Sequence, residues 1–147
     1  MEKNNDIREI QELLLGVHAL WHYKIEKPMK QLLDSGVSLE AYYCLQTVRY
    51  YPDGITMTEL ARWMNMPKQQ LTRLVGRLVG LGLVTRGSDP RDRRVIIISA
   101  AKAADDYINS FLDNEMDYFG KLVKNLSESD REDVKKALFS LQRIFTE

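Results

Sequence analysis

"ITMTELARWMNMPKQQLTRLVGRLVGLGLVTRGSDPRDRRVIIIS", residues 55–99, changes its hydrophobic period part-way along, and that change decides the architecture. Thr56-Met57-Thr58-Glu59 has the form of a capping box, so a short helix should open there and carry Leu60, Ala61 and Met64. "NMPK", residues 65–68, is a break, and Pro67 suits the first position of the next helix because its missing N–H would be unbonded there anyway. Leu71, Leu74, Val75, Leu78 and Val79 recur at steps of three and four, which predicts one buried stripe. Gly80 and Gly82 should end that helix. Beyond them the pattern becomes continuous or alternating apolar, so "LGLVTR" and "RVIIIS" read as strands and "GSDPRD" as their turn. Two short helices with a tight break, followed by a hairpin, make a helix-turn-helix with a wing.

Outward from this centre the chain is helical. Ile7, Ile10, Leu14, Val17, Trp21 and Ile25 lie on one helix face, predicted from about residue 6 to the low thirties, with a kink or break at Pro28. Ser38 is positioned to cap a helix from Leu39 to about Tyr50, and "YPDG", residues 51–54, is a turn. Ala104, Tyr107, Ile108, Phe111, Leu112, Phe119, Leu122, Val123 and Leu126 predict one helix from Ala101 to about Leu126. Ser127 then caps a last helix carrying Val134, Leu138, Leu141, Ile144 and Phe145. The expected fold is mainly α with a small β-hairpin wing (α+β). It is a single winged-helix chain over 1–147, with a DNA-binding lobe at 38–100 and a helical dimerisation region at 6–33 and 101–146. The end helices have more apolar face than so small a lobe could cover, and a second copy of the chain is the simplest cover.

Charged residues are 29% and hydrophobic residues 44% of the 147, so the chain reads as globular rather than disordered. No apolar run approaches the roughly 20 residues that span a bilayer. The start, MEKNNDIREI, has no signal-peptide core, and the expected location is the cytoplasm. Cys44 is the one cysteine, so no internal disulfide can form. The net charge of zero hides an asymmetry: residues 62–94 carry eight basic side chains (Arg62, Lys68, Arg73, Arg77, Arg86, Arg91, Arg93, Arg94) against Asp89 and Asp92. A basic centre between acidic ends is an electrostatic footprint for an anionic partner.

The second helix of a helix-turn-helix lies in the major groove and presents its first polar residues to base edges. Here those residues are Lys68, Gln69, Gln70, Thr72 and Arg73, with Arg77 a turn further on and placed for the DNA backbone. Lys and Arg match guanine O6/N7, Gln matches adenine N6/N7, and Thr can meet a thymine methyl. Arg91, Arg93 and Arg94 on the hairpin can reach the adjacent minor groove, whose narrow A·T-rich stretches attract arginine. Asp89 and Asp92 fit as local partners that orient a wing arginine. A solvated helix face and a turn with ordinary surface ion pairs are the alternative for the same residues.

"DPRDRR" followed by a strand resembles the wing motif of the MarR-type winged-helix regulators. Residues 55–86 resemble the same family's helix-turn-helix, including Leu60-Ala61, Thr72-Arg73 and Leu81-Gly82-Leu83-Val84, and the flanking helices resemble its dimerisation helices. The resemblance implies a homodimeric transcriptional regulator, usually a repressor on a pseudopalindromic operator, often released by a small phenolic, an oxidant or a metal. Two features depart from the pattern. Ala101 stands where a capping Thr is expected, leaving Ser99 or water to cap, and Lys27-Pro28 interrupts the first helix.

His18 and His22, four apart with Glu26 a turn on, have metal-ligand spacing, yet a third ligand would have to come from Glu26, Cys44 or a neighbouring subunit; a buried or interfacial histidine pair needs none. Trp21, Tyr42, Tyr43 and Trp63 either pack as core and interface aromatics or line a pocket for a small aromatic effector, with His18, Trp21, His22 and Tyr42 as its candidate contacts. Cys44 has no basic or helix-terminal setting to activate it. There is no Gly-rich phosphate loop and no Gly-x-Ser-x-Gly, and neither an enzyme nor a cofactor or resident metal is expected. The expected partners are double-stranded DNA, a second copy of the chain and a small aromatic effector, with no membrane. Two other readings use the same residues: a helical protein–protein adaptor that has lost DNA binding, and a metal or small-molecule buffer built on His18 and His22.

Overall fold

The first helix does not stop at Pro28. In the computed structural model, which describes residues 2–33, 36–113 and 118–146, α1 (Glu2–Trp21) runs into one π-helical turn (His22–Glu26) and continues as α2 (Lys27–Leu32). In a regular α-helix the Pro28 ring would meet the carbonyl four residues back and leave it unbonded. The wider turn, in which the Lys27 N–H bonds the His22 carbonyl, accommodates the proline without ending the helix. The expected kink is therefore realised as a π turn ahead of Pro28.

α3 (Leu39–Arg49) opens where predicted, with Ser38 Oγ accepting from the Ala41 N–H at 3.1 Å. Its inner face, Ala41, Cys44, Leu45 and Val48, is wholly shielded from solvent. The chain then turns through residues 51–54 into β1 (Ile55–Thr56), α4 (Met57–Trp63) and α5 (Lys68–Gly80). Thr56 Oγ1 accepts from the Glu59 N–H at 3.1 Å, which is the capping contact read from the sequence. Pro67 stands just before α5 as its cap residue, one place earlier than expected. Leu71, Val75 and Leu78 of the predicted stripe are buried, Leu74 is half-buried, and Val79 lies exposed. Gly82, at φ +73°, ends the helix, its N–H bonding the Val79 carbonyl while the Leu83 N–H bonds that of Leu78.

β2 (Val84–Asp89) and β3 (Asp92–Ala100) form the hairpin, and β1 adds to the other side of β3, giving an antiparallel sheet in the order β1-β3-β2. β1 was not expected, since two residues carry no period; it is held by Ile55 opposite Ile98 and Thr56 opposite Ile97. The hairpin is longer than the sequence suggested. Gly87, Ser88 and Asp89 read as turn by propensity, yet Gly87 and Ser88 pair with Ile97 and Ile96. Only Pro90 and Arg91 turn the chain. Gly54, at φ +91°, packs against β3, where a Cβ would lie 2.4 Å from Ile97 Cγ2 and 2.7 Å from Ser99 Oγ, so no other residue fits.

α6 (Lys102–Leu112), α7 (Tyr118–Lys124) and α8 (Glu128–Thr146) complete the chain. The single helix expected over 101–126 is thus described as α6 and α7, and residues 114–117 lie outside the described residues. Ser99 sits in β3 opposite Thr85 and does not cap α6; the Ala101 carbonyl accepts from the Ala104 N–H instead. Ser127 Oγ does cap α8, accepting from the Asp130 N–H. Residues 1–104 and 105–147 form two separate units. Among the described residues, no helix is long and apolar enough to cross a membrane.

Candidate nucleic-acid interface

α5 is held from below and free above. Its buried residues Leu71, Val75 and Leu78 anchor it to the lobe, while Lys68, Gln69, Gln70, Thr72, Arg73 and Arg77 are all exposed. No acidic residue occurs along α5, and its first turn has no side-chain cap. The Thr72 hydroxyl donates to the Lys68 carbonyl at 2.7 Å, which spends the polar end of that side chain on the helix and leaves its methyl outward. Arg77 Nε donates to the Gly36 carbonyl at 2.9 Å, so this arginine pins the segment ahead of α3 against α5.

The wing is preorganised by its two aspartates, in different ways. Asp89 accepts from the Arg91 backbone N–H at 2.9 Å and so shapes the turn rather than an arginine head. Asp92 takes a two-pronged contact from Arg94, Nε to Oδ1 at 3.1 Å and Nη2 to Oδ2 at 3.2 Å, and also accepts the Arg94 backbone N–H. Those bonds hold the Asp92 carboxyl below its usual value. The Arg94 side chain nevertheless remains 91% exposed. The ladder passes from Ser88–Ile96 directly to Asp89–Asp92, so Arg93, Arg94 and Val95 have no partner across the hairpin. A bulge of this kind re-aims side chains. Neither the bulge nor the two-pronged pair is visible in hydrophobic period, although the Asp-x-Arg spacing hints at the pair.

Arg86 contributes charge to the basic centre, and its sequence position alone gives it no site role. It leaves β2 toward α5, and a Cβ built on Gly76 would stand 4.0 Å from its Nη2. The signal available in the sequence was Gly76 itself, a glycine inside an otherwise good helix.

The residues proposed for an effector divide differently. His18, Trp21 and His22 are exposed on α1 and the π turn, and Tyr42 is half-buried on α3, where its hydroxyl accepts from Gln46 Nε2 at 3.0 Å. The link between those elements runs through Tyr43 instead. Glu26 accepts from Tyr43 and sits 3.2 Å from His22 Nδ1, and burial, reinforced by Glu26, pushes the Tyr43 hydroxyl up to about 12. Among the described residues, no three His, Cys, Asp or Glu side chains converge as metal ligands. Cys44 is fully buried, and desolvation pushes its thiol up to about 12, which keeps it protonated. Trp63 is exposed on α4.

Comparison with known proteins agrees with this lobe. The MarR family model matches residues 35–95. The chain is 24% identical over 87 residues, 59% of its length, to an uncharacterized HTH-type transcriptional regulator, YdgJ, of Bacillus subtilis (strain 168), and spans about half the length of that curated relative. Among solved structures it is similar to RV1404 from Mycobacterium tuberculosis (20% identity, 96% of this chain and 95% of that one, TM-score 0.69). It is also similar to a MarR-family transcriptional regulator from Rhodococcus sp. RHA1 (23% identity, 94% and 93%, TM-score 0.60). These likenesses cover the flanking helices as well as the lobe. The basic helix and the arginine wing thus lie within a lobe that is similar to the MarR family over residues 35–95, and the whole described chain shares the fold of these solved regulators.

Proposed function

We propose that this protein is a sequence-specific double-stranded DNA-binding regulator that acts as a homodimer on a pseudopalindromic operator, as a repressor released by a small ligand. The observation that carries the reading is the distribution of charge on the 35–95 lobe. Six arginines and Lys68 crowd α5 and the wing, and the two aspartates among them are both engaged in shaping the wing. α5 enters the major groove with Lys68, Gln69, Gln70 and Arg73 toward base edges or nearby phosphates and the Thr72 methyl toward a thymine. Arg91, Arg93 and Arg94 reach the flanking minor groove, with Arg94 inserted and Asp92 holding its orientation. Arg77, already bonded to Gly36, lies beside the phosphates.

Dimerisation is supported by uncovered apolar surface. Ile7, Ile10, Leu14, Val17 and Trp21 of α1 are each at least 44% exposed, and Val134, Leu138, Leu141, Ile144 and Phe145 of α8 are exposed too. Faces of this extent mark interfaces, and a second copy supplies matching faces about a two-fold axis. A small aromatic ligand would act near Trp21, His22 and Tyr42, beside the His22–Glu26–Tyr43 contacts that join the π turn to α3. A phenolic ligand that binds there should lower DNA affinity by about 5–150-fold. If the aromatics only pack, phenolics will leave both Tm and affinity unchanged.

The test of DNA binding is selection of duplexes from a random pool on the purified protein. Recovered sequences should contain two related half-sites about 10 base pairs apart, centre to centre, or a multiple of that. A protein that retains no duplex would refute the reading.

A further inference from the structure

The C-terminal half of α5 is bare where its N-terminal half is decorated. Gln69, Arg73, Gly76 and Gly80 follow one another at steps of four, three and four, which places them on one line of the helix. Leu71, Val75 and Leu78, the buried residues, lie on the opposite face. The outermost line of α5 therefore carries side chains at Gln69 and Arg73 and bare backbone at Gly76 and at the final residue, Gly80. Glycine inside a helix lowers stability relative to alanine, and backbone strain does not require it here, since neither Gly76 nor Gly80 has positive φ. Local space does not require it either. Nothing lies within 4 Å of a Cβ at Gly80, and a Cβ at Gly76 would make only ordinary contact with Arg86.

The charges around this bare patch point to what approaches it. Arg86 brings its guanidinium from β2 to Gly76, and Arg73 is one turn before that glycine on the same line, while Arg77 is bonded to the Gly36 carbonyl. α5 offers them no carboxylate, while Asp89 and Asp92 are bonded to Arg91 and Arg94. Exposed positive charge on one helix line that carries no carboxylate favours the approach of an anion. We propose that a DNA sugar–phosphate strand packs directly on the α5 backbone at Gly76 and Gly80, and that Arg86 donates to its phosphates. This rests on the DNA-binding reading above. It adds a backbone contact outside the base-reading residues, one that ties the recognition helix to the first strand of the wing.

The test uses the full chain and two fluorescein-labelled duplexes of about 30 base pairs, one recovered by selection on the parent protein and one of scrambled sequence. Arg86→Gln should weaken both duplexes by the same factor, about 3–10-fold near physiological salt, and reduce the slope of log affinity against log salt by about one. Arg86→Lys should keep most of the slope. Gly76→Gln replaces a glycine with a good helix former, so it should raise Tm by about 2–4 °C while lowering DNA affinity at least tenfold. Gly76→Ala should show the same opposed signs with a smaller loss. If Arg86→Gln keeps the parent's affinity and slope, or the Gly76 variants gain Tm with affinity intact, the inference is overturned. A parent protein that binds neither duplex refutes the DNA-binding reading itself.

Discussion

The lobe around α5 and the two end helices treat apolar residues in opposite ways. In the lobe Leu45, Val48, Leu60, Leu71, Val75, Leu78 and Ile98 are all shielded from water, and the apolar residues left outside, such as Trp63, Val79 and Leu81, are scattered among charged ones rather than lined up in a stripe. On α1 and α8 the leucines, isoleucines and aromatics stay outside: Leu15 and Phe139 are each 71% exposed. A helix whose apolar stripe is left in water cannot gain the roughly 25 cal/mol per Å² that burial provides. The lobe thus has a core of its own within one chain, and the exposed stripes of the end helices are what the proposed second copy would cover.

The largest effects should separate these two regions. Leu45→Ala removes a fully buried side chain from the lobe and should cost about 2–5 kcal/mol in urea unfolding. Gly54→Ala should be comparably severe, because the φ of +91° alone costs about 1–3 kcal/mol and the new Cβ would collide with Ile97 and Ser99. Leu138→Glu on α8 should leave the lobe folded and lower the mass measured by light scattering at low micromolar concentration from two chains toward one. If Leu138→Glu instead unfolds the lobe, or the parent is already a monomer, the contrast between the regions fails.

Smaller effects sharpen the contrast at the lobe's surface. Arg94→Ala should weaken operator binding by about 1–3 kcal/mol and reduce the salt slope by about one without changing Tm. Replacing Lys68 or Gln69 should alter which sequences are selected rather than the salt dependence. Asp92→Asn, which leaves Arg94 its charge but removes its anchor, should cost only a few-fold in affinity. The Asp92 carboxyl is held below its ordinary value, so the ion pair is complete throughout the neutral range and is lost only as pH falls through that lowered value. The Asp92→Asn deficit should therefore be flat across about pH 5–8. Smallest of all, Cys44 should resist thiol reagents in the native protein, since its buried thiol is pushed up to about 12; brisk native labelling would contradict that burial.

What was legible in the sequence follows the same division. Ser38, Thr56 and Ser127 announce their helices because capping is local chemistry, a side-chain oxygen meeting an N–H three residues on. The stripe Leu71, Val75 and Leu78 is legible for a similar reason, since one face of one helix meets one core. β1 is illegible because only its partner β3 makes two residues a strand. The extent of β2 is hidden likewise: Gly87 and Ser88 have turn-like propensities that the isoleucines opposite override. At Pro28 the sequence indicates a disturbance but not its form, and a π turn ahead of the proline satisfies the same constraint as a break. At the candidate interface the residue types on α5 and the wing are plain to read. The Asp92–Arg94 fork, the Arg77–Gly36 tie and the Arg86–Gly76 approach are not, since each depends on where the backbone brings side chains.

The central claim is that the charge gathered on α5 and the wing exists to bind duplex DNA. The most direct test is fluorescence anisotropy of the parent protein with its selected duplex, titrated at salt concentrations from about 50 to 200 mM. The account predicts a dimer that binds that duplex at least about a thousandfold tighter than a scrambled one at physiological salt, with affinity for both falling steeply and linearly on logarithmic axes as salt rises. Binding that is absent, or that is indifferent to salt and sequence, would contradict it.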